Sequence, residues 1–419
     1  MNLPDWLDAT RRIVVVGGGT ISHVRSHFAL CAPAYGTTAR QIAALIGERK
    51  DVHMNVDLVL TRMADPENST IETTEELASK MDYVVADKRT KIIFFNPAIC
   101  DFNGIVDNVA SGKGAERLRT RDAFSRSMII TPAAKIISNL RKTRKDIFVV
   151  GFKATAGATE QQQYIQGLNM LKESSVNLVL ANDTVTRKNM IIVPEEAAYK
   201  VTTSRIEALK ELIDIALLRS HLTFTRSTVV DGKPVPWGST EVPKTLREVV
   251  NHCIEKGAYK KFRGVTAGHF AVKLNDTTFL TSRRKTDFNR MEEVGLVKVT
   301  TDGPDSVIAY GSKPSVGGQS QRIVFTDHPD DDCVVHFHCV KKIDSQVPTV
   351  SQREFECGSH ECGRNTSQGL KKFGNIKAVY LDNHGPNIVF NSRIDPKEVI
   401  DFIDANFDLT TKTGGYALT

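Results

Sequence analysis

The sequence predicts an α/β protein of two domains, a doubly wound parallel sheet followed by a mixed sheet flanked by helices. Three observations lead to this fold class. The chain has 419 residues, too many for one ordinary core. In the first half, strand-like apolar runs alternate with amphipathic helical runs, as in a parallel sheet covered on both faces. In the second half, several strand-like runs follow one another between two helices.

The elements of the first half follow from hydrophobic periodicity and length. Strands are predicted at residues 12–16, 57–61, 82–86, 91–95, 146–152, 177–183 and 189–193, and helices at 38–48, 133–142, 160–174 and 204–220. Each apolar run is short enough for a buried strand, and each helical run carries one apolar face.

The second half begins after a change of composition. Residues 225–242 hold glycine and proline in a polar setting and predict a linker. It separates a first domain of residues 1–224 from a second domain of residues 243–419. Helices are predicted at 244–257 and 396–407, and strands at 269–274, 277–282, 296–300, 333–339, 377–381 and 387–390.

Composition limits the classes of function. Hydrophobic residues make up 41% and charged residues 25%, and the net charge is only +6. These values indicate a globular protein whose partners are small anionic metabolites rather than nucleic acid. The N-terminal residues lack an apolar signal run, and no segment approaches the roughly 20 apolar residues of a membrane span. Seven cysteines without a C-x-x-C pair favour a reducing cytoplasm.

A strand running into glycines is the first candidate site. Residues 14–25 read VVVGGGTISHVR. Glycines let a backbone approach a ligand, and exposed N–H groups can hold phosphate oxygens. The segment is not a Walker A loop, and Ser22 stands where G-x-G-x-x-G requires glycine. A phosphate loop and a tight strand-to-loop turn are equally expected from these residues alone.

Further motifs of the first half follow in order: NPAICDFNG (96–104), SGKG (111–114), VVGFKAT (149–155) and NLVLAND (177–183). With the glycine segment, they resemble phosphopantothenoylcysteine synthetase, the ligase of coenzyme A biosynthesis, over residues 12 to about 220. The resemblance implies a Rossmann-like fold and a dimer. It also implies that CTP or ATP with Mg²⁺ activates the carboxylate of phosphopantothenate for coupling to cysteine.

The same resemblance implies site residues. The nucleotide would be bound by Gly17, Gly18, Gly19, Thr20, Lys113, Gly151, Phe152 and Asn182, and the substrate by Arg25. Lys113 would also be catalytic, because a lysine beside a triphosphate stabilises developing negative charge; the alternative is a solvated loop lysine. Ala29 replaces the family's asparagine, and CAP (31–33) replaces Ser-Ser-Gly. The first half could therefore activate a different acid or lack ligase activity.

A pair of histidines is the second candidate site. His336 and His338 lie in CVVHFHC (333–339), and alternate side chains of a strand share one face. A metal needs at least three ligands, and His384 follows an apolar strand in YLDNHG (380–385). A cupin is excluded because Lys341 and Lys342 stand where its glutamate is needed.

The motifs around these histidines are GHFAV (268–272), TSRR (281–284), KPSVGG (313–318), VVHFH (334–338) and DNHG (382–385). They resemble the class II aldolase/adducin family over about residues 240–419. The resemblance implies a mostly antiparallel central sheet, often in a tetramer. It implies a divalent transition metal, Zn²⁺ by default, on His336, His338 and His384. It also implies substrate binding by Gly268, Thr281, Ser282, Arg283 and Ser315; Arg283 could equally be a surface charge.

The chemistry implied for this half is polarisation of a carbonyl, followed by carbon–carbon cleavage, epimerisation or dehydration. The family's acid/base glutamate falls at Gly317, and its asparagine falls at His269. Glu354, Glu356 or Glu361 could substitute for that glutamate. CGSHEC (357–362) resembles a zinc knot, but without a fourth ligand a capped helix with buried or free thiols is favoured.

The sequence thus predicts a bifunctional metabolic enzyme, with a nucleotide-dependent ligase-like half and a metal-dependent aldolase-like half. Two alternatives stay open. The chain could be a ligand-binding or scaffolding protein, since Ala29 and Gly317 depart from their families at catalytic positions. It could also have only the aldolase-like half active, with a regulatory nucleotide domain.

Overall fold

The computed structural model describes residues 8–315 and 318–418, which form two compact units. The first unit is Met1–Val193 with Ala198–His221, and the second is Pro194–Ala197 with Leu222–Thr419. The predicted linker, 225–242, lies within the second unit and carries a strand, Arg226–Val230. Among the described residues, no helix has the length and apolar character needed to cross a membrane.

The described part of the first unit contains four α-helices and eleven strands. The helices are α1 (Thr37–Gly47), α2 (Thr74–Ala86), α3 (Glu160–Ser174) and α4 (Arg205–Ser220). The strands are β1 (Arg12–Gly19), β2 (Ile21–Arg25), β3 (Phe28–Cys31), β4 (Asn55–Leu60), β5 (Thr90–Ala98), β6 (Phe102–Val106), β7 (Met128–Pro132), β8 (Phe148–Thr155), β9 (Leu178–Asp183), β10 (Asn189–Ile192) and β11 (Ala198–Thr202).

A seven-stranded sheet organises the first unit, in the order β11-β10-β9-β8-β5-β1-β4. Strands β4, β1, β5, β8 and β9 are parallel, and β10 and β11 add an antiparallel edge. The chain passes from β1 to β4 on one side and then to β5 on the other. Open α/β sheets bind ligands where the strand order reverses in this way, at the carboxyl ends of the strands. The predicted doubly wound parallel sheet is confirmed.

Residues 82–86, predicted as a strand, belong instead to α2. Thr73 caps this helix: its hydroxyl accepts from Glu76 N, and the Glu76 carboxylate accepts from Thr73 N. The buried face consists of Thr74, Leu77, Met81, Val84 and Val85. The apolar residues of 82–86 therefore belong to one face of a capped helix. The β-branched valines led to the wrong prediction of a strand.

The helix predicted at residues 133–142 is also wrong. Only a short 3₁₀ helix, Ile137–Asn139, forms there. Ile136 and Leu140 are buried, while the basic residues around them stay at the surface. One turn is therefore enough to bury Ile136 and Leu140.

The described part of the second unit contains five α-helices and fourteen strands. The helices are α5 (Lys244–Glu255), α6 (Met291–Val294), α7 (Gly318–Asp327), α8 (His360–Gly369) and α9 (Pro396–Asn406). The strands are β12 (Arg226–Val230), β13 (Lys261–Phe262), β14 (Val265–Thr266), β15 (His269–Lys273), β16 (Thr278–Ser282), β17 (Leu296–Thr301), β18 (Ser306–Tyr310), β19 (Cys333–His336), β20 (Cys339–Lys341), β21 (Thr349–Val350), β22 (Lys371–Phe373), β23 (Ile376–Leu381), β24 (Gly385–Phe390) and β25 (Phe407–Lys412).

The main sheet of the second unit has the order β12-β18-β17-β16-β15-β19-β24-β23-β21, with β22 also on β23. Only the pairs β12–β18 and β21–β23 are parallel. The mostly antiparallel sheet predicted for this half is confirmed.

The two faces of this sheet carry separate cores. On one face, Val249 of α5 and Ile403 of α9 belong to the same cluster as Phe270 and Val335. On the other face, Val324 of α7 packs in a cluster with Val334, Val297 and Val389. Side chains alternate along β19, so His336 lies on the same face as Val334. The candidate metal site is therefore built on the α7 side of the sheet.

Candidate functional site

Three elements carry the predicted metal ligands. His336 is the last residue of β19, where it pairs with His269 of β15 and Asn387 of β24. His338 lies in the irregular link between β19 and β20, and His384 lies in the turn between β23 and β24. The sequence predicted all three residues, but strand alternation accounts only for the direction of His336.

The structure brings these three imidazoles together. One ligand atom from each of His336, His338 and His384 lies within 4.8 Å of the others. His336 Nε2 and His384 Nε2 are 3.2 Å apart. All three side chains are buried. It is the one group of three or more possible metal-ligating side chains among the described residues.

The protonation state of His336 suits a metal ligand. Its Nδ1 lies 2.7 Å from Pro386 O, so Nδ1–H donates to this carbonyl. Burial lowers the pKa of His336 to about 4, although the bond to Pro386 acts in the opposite direction. The ring is therefore neutral at pH 7, and the Nε2 lone pair faces His384. A carbonyl on the second ring nitrogen is the usual way to orient a metal-binding histidine.

Two glycines allow other parts of the backbone to lie close to residues 336–338, the segment that carries two of the three histidines. Gly385 has φ +132°, and a Cβ there would lie 2.1 Å from Phe337 O. Gly268 has φ +108°, and its Cβ would lie 2.6 Å from His336 O. Both positions need glycine for its conformational range and for close approach. Gly268, predicted to bind substrate, thus has a packing role that explains its identity.

The C-terminal segment supports the same histidines. Thr413 N donates to His338 O at 3.1 Å, and Thr413 Oγ1 donates to His384 O at 3.3 Å. The neighbouring Lys412 is buried and donates from Nζ to Glu196 O at 2.6 Å. Sequence reasoning missed Thr413, and no local signal could have found it, because its partners lie far away in the chain.

A fourth histidine and a glutamine border the cluster. His269, on β15, is 4% exposed, and its ring centroid lies 4.8 Å from that of His336. Gln321 of α7 is completely buried, and its Nε2 lies 2.8 Å from His269 Nδ1. Burial lowers the pKa of His269 well below its usual value, and the neighbouring His336 adds to the effect. His269 is therefore a neutral imidazole.

The other predicted substrate-binding residues make internal contacts. Thr281 Oγ1 donates to Phe270 O at 3.1 Å, and the hydroxyls of Ser282 and Ser315 lie 2.8 Å apart. Arg283 donates to Ser312 Oγ at 3.0 Å and to Val294 O at 2.7 Å. Their role in substrate binding stays a prediction.

No carboxylate joins the histidine group among the described residues. Glu354 accepts from Ser351 Oγ, and Glu361 accepts from Thr223 Oγ1 at 2.8 Å. Glu356 precedes α8, and a catalytic role for it stays a prediction. Gly317 lies outside the described residues.

The segment CGSHEC forms the capped helix that was predicted. Ser359 caps α8, and its hydroxyl accepts from Cys362 N at 3.0 Å. His360 Nε2 lies 3.0 Å from Thr225 Oγ1. Cys357 and Cys362 form no disulfide, and neither do the other five cysteines.

The glycine segment of the first unit lies on a strand rather than in a loop. Gly17, Gly18 and Gly19 are the last three residues of β1. A Cβ at Gly17 would lie 2.4 Å from Ala39 Cβ, and one at Gly19 would lie 2.1 Å from Ala32 O. These glycines therefore allow close packing at the end of β1. Binding of a nucleotide there stays a prediction.

This strand end coincides with the reversal of strand order. Thr20 follows β1 and donates from N to Ala98 O at 3.0 Å, at the carboxyl end of β5. Its buried hydroxyl accepts from Cys100 N at 2.8 Å. The segment therefore occupies the part of an open α/β sheet that most often binds ligands.

Lys113 and Arg25 lie in different environments. Lys113 donates from Nζ to Glu72 Oε2 at 2.6 Å, yet 66% of its side chain is exposed. This bond lowers the pKa of Glu72, which also contacts His23. Arg25 is buried and donates to the carbonyl oxygens of Val24 and Val106. Its guanidinium group is therefore hydrogen-bonded to backbone carbonyl oxygens.

The remaining predicted nucleotide-binding residues lie near the ends of β8 and β9. A Cβ at Gly151 would lie 2.9 Å from Met170 Cε, at the flexible end of that side chain. Phe152 pairs with Leu180, and Asn182 pairs with Ala154. The following Asp183 accepts hydrogen bonds from the N–H groups of Gly157, Ala158, Val185 and Thr186 and from Thr155 Oγ1.

Known proteins resemble each half of the chain. Residues 248–392 match the Class II Aldolase and Adducin N-terminal domain. The coenzyme A biosynthesis bifunctional protein CoaBC of Thermococcus kodakarensis is 23% identical over 176 residues. That match covers 41% of this chain and 41% of the relative.

Two solved structures have partial similarity. The DNA/pantothenate metabolism flavoprotein of Streptococcus pneumoniae has 20% identity and a TM-score of 0.41, and the match covers 49% of this chain and 97% of that one. The L-fuculose-1-phosphate aldolase of Thermus thermophilus has 18% identity and a TM-score of 0.27, with 36% and 80% covered. The chain is therefore similar over 176 residues to a coenzyme A biosynthesis protein, and its residues 248–392 match the Class II Aldolase and Adducin N-terminal domain.

Proposed function

We propose that the second unit is a metal-dependent enzyme that acts on the carbon next to a carbonyl in a phosphorylated or acidic metabolite. The observation that carries this proposal is the cluster of His336, His338 and His384, three buried imidazoles with their ligand atoms within 4.8 Å. Three imidazoles fit a transition metal, with Zn²⁺ the first choice.

The residues of the chain have distinct tasks in this proposal. The three histidines would hold the metal, which when bound would polarise the carbonyl of the substrate. Pro386 O fixes the tautomer of His336, and Thr413 holds the backbone of His338 and His384. The three histidines are buried, and exclusion of water from such a site would strengthen electrostatic interactions there.

Exchange of the carbon-bound hydrogen tests this function without knowledge of the final product. The metal-loaded full chain is incubated in D₂O with a panel of sugar phosphates and hydroxy acids, and deuterium incorporation is followed by NMR. We expect exchange next to the carbonyl of at least one compound, and none with His384→Ala. Equal exchange by both proteins would contradict the proposal.

We propose that the first unit is a nucleotide-dependent acid–amine ligase of the phosphopantothenate–cysteine type. The supporting observation is the glycine segment at the end of β1, where the strand order reverses. CTP or ATP with Mg²⁺ would bind there, and Lys113 would neutralise phosphate charge. In this form the chain is a bifunctional enzyme.

Release of inorganic products tests the ligase proposal. The full chain is mixed with Mg²⁺, CTP or ATP, phosphopantothenate and cysteine, and pyrophosphate and phosphate are measured. Substrate-dependent release is expected, with strong loss in Lys113→Ala. No release with either nucleotide would contradict the proposal and favour a binding or regulatory role for this unit.

We also propose that the chain forms a homo-oligomer through the first unit. The hairpin of β6 and β7 exposes 45% of Phe102, 57% of Ile129 and 51% of Ile130. Apolar exposure of this kind is common at protein–protein interfaces. Light scattering should give a dimer or larger species, and Ile129→Asp should shift it toward the monomer. A monomeric wild-type chain would contradict the proposal.

A further inference from the structure

A buried imidazole with one unused nitrogen borders the histidine cluster. His269 lies on β15, directly across from His336, and paired residues of neighbouring strands present their side chains on the same face. Its ring is 4.8 Å from that of His336, which in turn is 4.5 Å from that of His384. His269 therefore extends the row of imidazoles on the β15 side.

Gln321 occupies one nitrogen of this ring. Its Nε2 lies 2.8 Å from His269 Nδ1, and the amide is completely buried on α7. Among residues 8–315 and 318–418, Gln321 is the one hydrogen-bond partner of the His269 ring. His269 Nε2 therefore has no partner in this part of the chain, although the side chain is only 4% exposed. A nitrogen without a protein partner is available to hydrogen-bond a ligand.

His269 is not itself in the metal-ligating group. Its nitrogens fall outside the set of ligand atoms that lie within 4.8 Å of one another. A neighbouring nitrogen that cannot share the ion can still contact a molecule bound to it. With the Gln321 amide donating to Nδ1, the hydrogen of the neutral ring is on Nε2. A donor complements an oxygen that carries negative charge at the metal, whereas a lone pair would repel it.

We propose that His269, oriented by Gln321, donates a hydrogen bond from Nε2 to the substrate oxygen that is bound at the three-histidine metal site. The inference rests on the proposed function of the second unit and deepens it. It identifies the substrate as a compound with an anionic or strongly polarised oxygen, such as a carboxylate or a carbonyl oxygen. It also assigns a role to a residue that is neither a metal ligand nor a carboxylate.

A metal-binding probe with an anionic oxygen tests this assignment. The full chain is loaded with Co²⁺, and acetohydroxamate is titrated while the visible absorption of the metal is recorded. The metal content of each protein is measured separately. His269→Leu removes the donor with a similar volume, and His269→Gln restores an N–H near the position of Nε2. His252→Leu is the control, because His252 bonds to Asp404 on the opposite face of the sheet.

His269→Leu should keep the wild-type metal content and bind acetohydroxamate about tenfold more weakly, the effect of losing one good hydrogen bond. His269→Gln should recover most of the affinity, and His252→Leu should match the wild type. Wild-type affinity in His269→Leu would overturn the inference while leaving the metal site intact. Loss of metal in His269→Leu and His269→Gln would also overturn it, by making His269 a ligand. Failure of the wild-type chain to bind Co²⁺ would overturn both the proposed function and this inference.

Discussion

The three-histidine cluster of the second unit and the glycine segment of the first unit were both predicted from short motifs. Packing in the structure explains the glycines but not the histidines. His336, His338 and His384 converge from separate elements, and no packing requirement explains three imidazoles in a buried space. The glycines at 17–19 are explained by contacts with Ala39, Thr61 and Ala32.

The difference shows which motifs carry functional information. A buried polar cluster is costly unless it has a partner, so its presence points to a ligand. A glycine in a close contact is needed for folding whether or not a ligand binds. The proposed metal site is therefore supported by its own geometry, whereas the proposed nucleotide site is supported only by its place at the reversal of strand order.

The largest expected effect is loss of metal on removal of a ligand. His384→Ala leaves two imidazoles, too few for a stable catalytic site. Elemental analysis should find bound metal reduced to near zero, with the fold retained by circular dichroism. His328→Ala is the matched control, since His328 bonds to Ser367 and Lys377 and not to the cluster. Equal metal content in the two variants would remove His384 from the site.

A large effect on stability is expected for Gly385→Ala. The new Cβ would collide with Phe337 O, and φ is +132°. We expect a loss of about 3 kcal/mol in unfolding free energy, measured by urea denaturation. Gly264→Ala is the control, because φ is +80° but no atom lies within 4 Å of the new Cβ. It should cost only about 1 kcal/mol. Equal losses of unfolding free energy in the two variants would show that the close approach of residue 385 to Phe337 O is unimportant.

A pH-dependent effect is expected for Asp183→Asn. Hydrogen bonds from backbone N–H groups, first that of Thr186, lower the pKa of Asp183. A depressed pKa contributes stability above the unfolded value, and this contribution is lost as pH falls through the folded value. Asp183→Asn should therefore melt at a lower temperature than the wild type at neutral pH. The difference in melting temperature between the two proteins should become smaller below about pH 4, the pKa of an unperturbed aspartate. A difference in melting temperature that does not change with pH would contradict a stabilising role for the charged Asp183.

The smallest effect on stability is expected for Lys113→Ala. Its ion pair with Glu72 is largely exposed, and exposed pairs contribute less than about 1 kcal/mol. Thermal melting should be nearly unchanged, while the proposed ligase reaction should slow by a factor of about 100 or more. Glu72→Gln, which removes the same ion pair, is the matched control and should keep more activity. A clear fall in melting temperature with unchanged ligation would make Lys113 a structural residue.

Much of the fold follows from local sequence, and the failures have physical causes. Strands such as β1 and β5 are continuous apolar runs, which periodicity detects. Helix α2 was read as a strand because of its valines, although the Thr73–Glu76 capping box was a usable signal. Strand β12 was missed because it is defined by pairing with β18, which lies far along the chain.

The candidate site likewise has a part that the sequence predicts and a part that it does not. Its three histidines stand in recognisable motifs, so the sequence predicted them. The contacts of Gln321 and Thr413 depend on how α7 and the C-terminal segment pack, and no local pattern encodes those contacts. The sequence also placed His338 on a strand that in fact ends at His336.

Co²⁺ titration of the metal-free full chain is the decisive test for a metal site at the three histidines. The visible absorption of Co²⁺ depends on its ligands and geometry. We expect intense bands of a low-coordinate, nitrogen-ligated ion that saturate at about one equivalent per chain and disappear in His336→Ala. Only the weak spectrum of hydrated Co²⁺, unchanged by the substitution, would contradict a metal site at His336, His338 and His384.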